Sequence, residues 1–193
     1  RDNGVANGQP TDQGSKYAIE LCALYNVVDR MPLGPEGQAL FNVGLMLSNG
    51  NPSSNKGGYP LHAFTALDAT GKSSLKAAIR SIANTSEFKA NQPTFALMMH
   101  EAYLYYKGLA PRVGHLNNPW DSRAVSGGKY STPAAHSCGR NYVIFIANGA
   151  PNSGEDADAQ PLLQGLGGAA AVSPIVDPNL ATLEANWADE YAR

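Results

Sequence analysis

The sequence contains little charge and no cluster of basic residues. Charged side chains make up 16% of its 193 residues, and the formal net charge is −2. Nucleic acids and anionic membranes attract proteins mainly through clustered Lys and Arg, so this composition favours neither as a partner. The sequence also lacks the uninterrupted apolar run of about 18 residues that a membrane-spanning helix needs. We therefore expect no nucleic-acid partner and no membrane span.

Cysteine is also scarce. Cys22 and Cys138 are far apart in the sequence and do not have the spacing of a metal site. One long-range disulfide and two buried thiols are both compatible with this spacing. The loops are rich in Asn, Gly, Ser and Pro, which is more typical of an extracellular protein than of a cytosolic enzyme. In an oxidising compartment we favour the Cys22–Cys138 disulfide.

The most distinctive stretch that is present is the apolar run of residues 142–146. All five residues are β-branched or aromatic, and Asn148-Gly149 and Pro151-Asn152 follow directly. Such a run predicts a strand that is buried on both faces, which is typical of a parallel sheet between helices. Ligands bind beyond the carboxyl ends of such strands, so Asn148 is a candidate site residue.

Strand-like and helix-like patterns alternate along the rest of the chain. We expect a single α/β domain over residues 1–193, with a sheet that is flanked by helices. Residues 1–14 are expected to be a flexible segment and residues 108–140 a long loop insertion. The other predicted elements are a helix from Ser15 to about Pro32, strands at 40–47 and 61–65, a helix from Lys72 or Ser73, a helix from Thr94 to Lys107 with Gly108 as its stop, and a last helix at 178–191.

One motif is formally that of an enzyme. Residues 66–73 end in Gly71-Lys72-Ser73, as a phosphate-binding P-loop does, and they lie between a predicted strand and a predicted helix. However, a loop with one glycine wraps a phosphate poorly, and Asp68 would place a negative charge beside it. The alternative is an ordinary helix N-terminus with Thr70 or Ser73 as its cap. We favour the alternative, and with it a non-enzymatic protein.

The remaining polar candidates have structural explanations. His136 lies close to Cys138, but a disulfide cysteine beside a loop histidine is a better explanation than a Cys/His nucleophile. Glu101 is expected on a solvated helix face or in a local ion pair. Residues 155–158 lack the pattern of a calcium-binding loop and are expected to be a solvated loop. The tyrosines that are expected to pack or to line a surface are Tyr103, Tyr105 and Tyr106.

Several segments resemble the N-terminal region of the PilY family of type IV pilus tip-associated adhesins, which is a von Willebrand factor A-like domain. They occur in the same order as in the family. The segments are residues 41–47, 57–59, 100–108, 121–124, 138–152 and 186–193.

The resemblance implies a Rossmann-like sheet and a non-enzymatic role in surface attachment and in pilus assembly or retraction. It also implies a cell-surface, pilus-associated location that is reached through the periplasm. The expected partners are pilus subunits or minor pilins and a surface or host ligand.

The resemblance further implies a degenerate metal site. Many A-type domains bind Mg²⁺ or Ca²⁺ through an Asp-x-Ser-x-Ser loop, a Thr and an Asp. This sequence has no Asp-x-Ser-x-Ser, Thr94 lies near the second position, and Asn148 replaces the Asp. A neutral amide oxygen is a poor ligand for a hard cation. Cation-dependent ligand binding at Thr94 and Asn148 is therefore the alternative function.

The family's first strand precedes the first helix, and no such strand is evident before Ser15. We therefore expect an incomplete A-type sheet whose first and last strands come from elsewhere. They would come from a missing part of the same protein or from a neighbouring chain that adds strands at an open edge.

This expectation predicts that the native protein is larger than the chain or is bound to a partner. Intact-mass and native-mass measurements on material purified from its source test it. A single folded monomer of 20.3 kDa would contradict it.

Overall fold

The computed structural model describes residues 5–6, 9–10, 16–49, 56–84, 94–112, 120–133, 140–147, 156–167 and Tyr191. The four helices of this part are α1 (Lys16–Arg30), α2 (Ala69–Asn84), α3 (Phe95–Lys107) and α4 (Asp156–Gly165). The strands are β1 (Val5–Ala6), β2 (Gln9–Pro10), β3 (Asn42–Ser48), β4 (Gly58–Ala66), β5 (Val125–Ser126) and β6 (Lys129–Tyr130).

The longest strands, β3 and β4, form an antiparallel hairpin. Asn42 lies opposite Ala66 and Ser48 lies opposite Gly58, with register irregularities on both sides of Leu45. Both strands were predicted and are confirmed. The predicted parallel sheet is wrong for the described strands, because each of them pairs with its neighbour in sequence and antiparallel to it. Parallel pairing would require a longer crossover connection between the two strands.

Helices cover both faces of the hairpin. Val43 and Leu47 pack with the core that α1 and α2 form, whereas Met46 packs with the core beneath α3. Alternate residues of a strand point to opposite faces, so this separation places α1 and α2 on one face and α3 on the other. The mixed α/β architecture is therefore confirmed. The buried residues of the larger core are Leu21, Val28, Tyr59, Leu67, Leu75, Ile79 and Ile82.

α3 lies between the hairpin and α4. Its Leu104 and Tyr105 pack against the hairpin and against residues 124–130, which follow α3. Its Ala96 and Leu97 pack against α4. The helix ends as predicted, at Gly108, whose φ of 64° is the left-handed conformation that glycine adopts most readily. α3 is consequently buried on more than one side.

Three local predictions need correction. α2 begins at Ala69, about a turn earlier than predicted, because the Asp68 carboxylate accepts a hydrogen bond from the Gly71 N–H at 2.8 Å. Of the predicted solvated loop 155–158, the described residues 156–158 begin α4 instead. The expected loop at 108–140 contains the β5–β6 hairpin, and the expected flexible segment 1–14 contains the β1–β2 pair.

The most important correction concerns residues 142–146, here called the apolar ribbon. The prediction of a strand buried on both faces is wrong: the five side chains are between 38% and 84% exposed, and no strand is assigned. Burial on both faces requires layers on both sides of the run and paired strands at its edges. The ribbon contacts α3 through one hydrogen bond and one ring pair.

Ile79 is completely buried in the core between α1, α2 and the hairpin. We expect Ile79→Ala to lower the free energy of unfolding by about 2–5 kcal/mol, because it removes buried methyl groups and leaves a cavity. Val27→Ala, on the exposed side of α1, is the matched control and should change it by less than about 0.5 kcal/mol. Urea unfolding measures both changes. Equal effects of the two substitutions would contradict this core.

Candidate functional site

The two outer edges of the β3–β4 hairpin differ. The edge of β4 is closed by the residues that follow α3: the Asp121 N–H donates to the Pro60 carbonyl at 3.0 Å. The Ala63 N–H donates to the Asp121 carboxylate at 2.8 Å, and the Phe64 N–H donates to the Tyr105 hydroxyl at 3.2 Å. Satisfied backbone groups offer nothing to an incoming strand, so this edge is protected from pairing.

Asp121 is held in place by Arg123. The Arg123 guanidinium donates to both carboxylate oxygens, with Nε at 2.9 Å from Oδ1 and Nη2 at 2.6 Å from Oδ2. Burial alone would raise the pKa of Asp121, but the hydrogen bonds from Arg123 and from the Ala63 N–H outweigh it and lower the pKa to about 2. The carboxylate therefore stays ionised above that lowered pKa, in the form that accepts the hydrogen bonds at the β4 edge.

The outer edge of β3 is open in the part of the chain that the structure describes. There β3 pairs with β4 alone, and its side chains from Val43 to Ser48 are only half-buried. Leu40 and Phe41, just before the strand, are about half exposed. An open strand edge with apolar side chains is a place where another strand can pair.

The apolar ribbon is held against α3 at two points. The Tyr106 hydroxyl donates to the Tyr142 carbonyl at 2.9 Å, and the rings of Phe95 and Phe145 meet edge to face with centroids 4.9 Å apart. Tyr106 also contacts Phe64 of β4, with ring centroids 5.7 Å apart. A single helix thus supports both the hairpin and the ribbon. The prediction that the tyrosines of this helix pack is confirmed for Tyr106.

The structure gives Thr94 a structural contact. Its buried hydroxyl oxygen accepts a hydrogen bond from the Gly57 N–H at 3.0 Å, which joins the start of α3 to the start of β4. Asn148 lies outside the described residues, so the predicted pair of ligands is not seen together. Among the residues that are described, no group of three or more His, Cys, Asp or Glu side chains could hold a metal ion.

The P-loop-like motif belongs to the packing of α1 against α2. Gly71-Lys72-Ser73 lies inside α2, and the Lys72 ammonium donates to the backbone carbonyls of Asp29 and Met31 at the end of α1. A Cβ at Gly71 would lie 2.0 Å from the Ala66 carbonyl oxygen, so close backbone approach explains the glycine. The geometry fits the helix N-terminus interpretation, although the cap is Asp68 and neither Thr70 nor Ser73.

Cys22 is a free thiol in the structure, and its sulfur accepts a hydrogen bond from the Asn26 amide at 3.3 Å. Cys138 and His136 lie outside the described residues. The Cys22–Cys138 disulfide therefore stays a prediction.

Glu101 is the polar residue that the sequence placed wrongly. It was predicted on a solvated helix face or in a local ion pair, but the side chain is completely buried. Its Oε1 accepts hydrogen bonds from the Tyr130 hydroxyl at 2.5 Å and from the Arg112 N–H at 3.1 Å. One signal was available: Glu101 lies four residues after Leu97 and three before Leu104, which puts it on the buried face of α3.

His62, on β4, is also a buried polar residue. Its Nε2 lies 2.9 Å from the Ser74 hydroxyl of α2. Burial lowers the pKa of His62, and the charge of Arg123 lowers it further. The neutral ring consequently links the hairpin to α2.

The chain was compared with protein-family models, with curated proteins and with solved structures, and none of them matches it. Within the described helices, none combines the length and the apolar character that crossing a bilayer requires.

The hydrogen bonds of Asp121 to Arg123 and to the β4 edge, here called the Asp121 clamp, predict an acid-sensitive fold. The titrating group is the Asp121 carboxyl. Its pKa is lower in the folded protein than the ordinary value of 3.8, so its stabilising effect is complete above that value and disappears as the pH falls toward 2. Asp121→Asn should lower the free energy of unfolding at pH 7 by about 2 kcal/mol and flatten its dependence on pH between 4 and 2.

The matched control for this prediction is Asp158→Asn. Asp158 forms a partly exposed ion pair with Lys56, and such pairs contribute little to stability. Urea unfolding at several pH values compares the variants. An Asp121→Asn protein that keeps the full acid dependence of the wild type would refute the clamp.

Proposed function

We propose that this chain is a non-enzymatic attachment module of the type IV pilus tip, related to the PilY adhesins and acting at the cell surface. The exposure of the apolar ribbon supports a role in association, and the resemblance to the PilY family alone supplies the pilus assignment. The ribbon also lies within segment 138–152, one of those that resemble the PilY family. Three of the other segments lie largely on β3, β4 and α3.

The ribbon has the properties of a contact surface. Ile144 is 84% exposed and Tyr142 is 70% exposed, and no charged residue lies among the five. Soluble monomers rarely leave contiguous apolar side chains in water, and larger exposed patches mark sites of protein association. A surface that acts by association needs no catalytic group.

Strand addition is the mode of association that these elements favour. The outer edge of β3 is unpaired with any other described strand, the ribbon belongs to no described strand, and α3 supports the ribbon and the hairpin together. A strand that entered beside them would gain main-chain hydrogen bonds from an edge and apolar contacts from the side chains. It would complete a von Willebrand factor A-like sheet.

The source of that strand follows from the proposed location. It is either a pilus subunit or minor pilin, or another part of the same protein. From either source, the strand is apolar and uncharged in this proposal, because the ribbon and β3 present few charges to a partner. The surface or host ligand would then bind elsewhere on the completed module.

Cell fractionation tests the proposal in the bacterium that makes the protein. The wild-type chain should appear in the sheared pilus fraction, and Ile144→Lys should move it into the medium, because a buried strand contact cannot hold an unpaired ammonium. Val27→Lys, an exposed apolar position on α1, is the matched control and should behave like the wild type.

Equal thermal stability of the three purified proteins excludes misfolding as the cause. The proposal of a pilus function fails when the wild-type chain remains inside the cell. The role of the ribbon fails when Ile144→Lys fractionates like the wild type.

A further inference from the structure

Glu101 joins α3 to the segment that follows it. That segment, here called the anchored segment, comprises the described residues 109–112 and 120–133. It contacts Glu101 from both parts, through the Arg112 N–H and through the Tyr130 hydroxyl. Inside the segment, the Tyr130 N–H donates to the Leu109 carbonyl at 2.9 Å and the Ser131 N–H donates to the Ala124 carbonyl at 2.8 Å. Glu101 thus binds both parts of the anchored segment to α3.

The two oxygens of the Glu101 carboxyl have unequal surroundings. Both donors reach Oε1, whereas Oε2 is buried and has no hydrogen-bond partner among the described residues. An ionised carboxyl spreads its charge over both oxygens, so one of them would carry charge without a donor and without water. A neutral carboxyl places its proton on Oε2 and avoids that penalty.

The nearest positive charge is directed elsewhere. The Arg112 guanidinium donates through Nη1 to the Lys56 carbonyl at 2.8 Å, and the Lys56 ammonium pairs with Asp158 of α4 at 3.1 Å. Among the described residues, the titratable groups around Glu101 are His100 and Tyr105 on α3, Arg112 and Tyr130 on the anchored segment, Lys56 before β4 and Asp158 on α4.

We propose that Glu101 is a proton-operated anchor: a neutral carboxyl holds the anchored segment closed on α3, and ionisation of the carboxyl releases the segment. Release lets water or the Arg112 side chain reach Oε2, which the closed geometry prevents. The anchor is separate from the apolar ribbon and does not depend on the proposed pilus function.

The surrounding groups support this direction. Burial raises the pKa of Glu101 above its ordinary value, although the hydrogen bonds from Tyr130 and Arg112 act in the opposite sense. Burial also raises the pKa of the Tyr130 phenol, which therefore remains a donor. Burial lowers the pKa of His100, so that ring supplies no compensating positive charge near neutrality.

The sign of the effect follows from linkage. A carboxyl whose pKa is raised in the closed state stabilises that state below the ordinary pKa of about 4.5. The stabilisation is lost as the pH rises through the raised value. The anchored segment is therefore expected to be most firmly closed in mild acid and to loosen toward neutral pH.

Release would act on the hairpin, because the anchored segment carries Asp121. Asp121 closes the outer edge of β4 through the Pro60 carbonyl and the Ala63 N–H. Loosening the segment at higher pH would leave those two backbone groups open to water or to another strand.

Hydrogen–deuterium exchange of peptides from 120–133 tests the anchor on the whole chain. The rates are measured from pH 4.5 to 7.5 and corrected for the intrinsic pH dependence of amide exchange. In the wild type, protection should fall with rising pH by up to about tenfold per pH unit, the limit for release of a single proton. Glu101→Gln keeps the Oε1 acceptor and cannot ionise, so its protection should not change with pH.

Asp158→Asn is the matched control, since it alters a carboxylate that does not touch the anchored segment, and it should keep the wild-type profile. A wild-type profile without pH dependence, or a Glu101→Gln profile with the same dependence as the wild type, would overturn the proposal.

A second variant decides the matter when Glu101→Gln does not fold. Tyr130→Phe removes a hydrogen bond that favours the ionised carboxyl, so the fall in protection should move to higher pH. If the pH midpoint of the fall in protection were the same in Tyr130→Phe as in the wild type, the proposal would be overturned.

Discussion

The closing of the outer edge of β4 is the interaction on which the rest of the structure depends. Backbone N–H and C=O groups need partners when they leave water. Here the Asp121 backbone and carboxylate, together with the Tyr105 hydroxyl, satisfy that edge. Because Tyr105 belongs to α3 and Asp121 to the segment after it, the same bonds fix the helix and the segment against the hairpin. Arg123 then keeps the Asp121 carboxylate ionised and in place.

This closure makes the hairpin asymmetric. One edge is protected, and the other edge belongs to β3, which is half-buried and paired with β4 alone among the described strands. The apolar ribbon lies on the helix that supports the hairpin, with its side chains in water. The arrangement favours a protein that acts through association with another strand. We accordingly interpret the fold as a module whose recognition surface is an incomplete sheet.

The sequence predicted those elements whose signals are local. The apolar spacing in α1, the strand patterns of β3 and β4, and the glycine after Lys107 are each readable from a few neighbouring residues, and all of them were confirmed. α4 was missed because Pro161, inside the helix, interrupts the pattern that Ala159, Leu162 and Leu163 form.

The predictions that failed concern tertiary partners. Burial of the ribbon requires elements on both of its faces, and composition cannot show whether they are present. Glu101 was assigned to solvent because it is charged, although the spacing around it already placed it on the buried face of α3. The motif at Lys72 resembled a phosphate site until the carbonyls of Asp29 and Met31 accounted for its ammonium.

The resemblance to the PilY family requires that the ribbon be covered in the native assembly. Residue-resolved amide exchange in the purified chain, alone and with the minor pilins that are proposed as its partners, is the most direct measurement. In mild acid, the account predicts slow exchange at Ala63 and Phe64 in both samples, and fast exchange at residues 142–147 that slows when the partners are present. Equally strong protection of the ribbon in the chain alone, or no change on adding the partners, would contradict it.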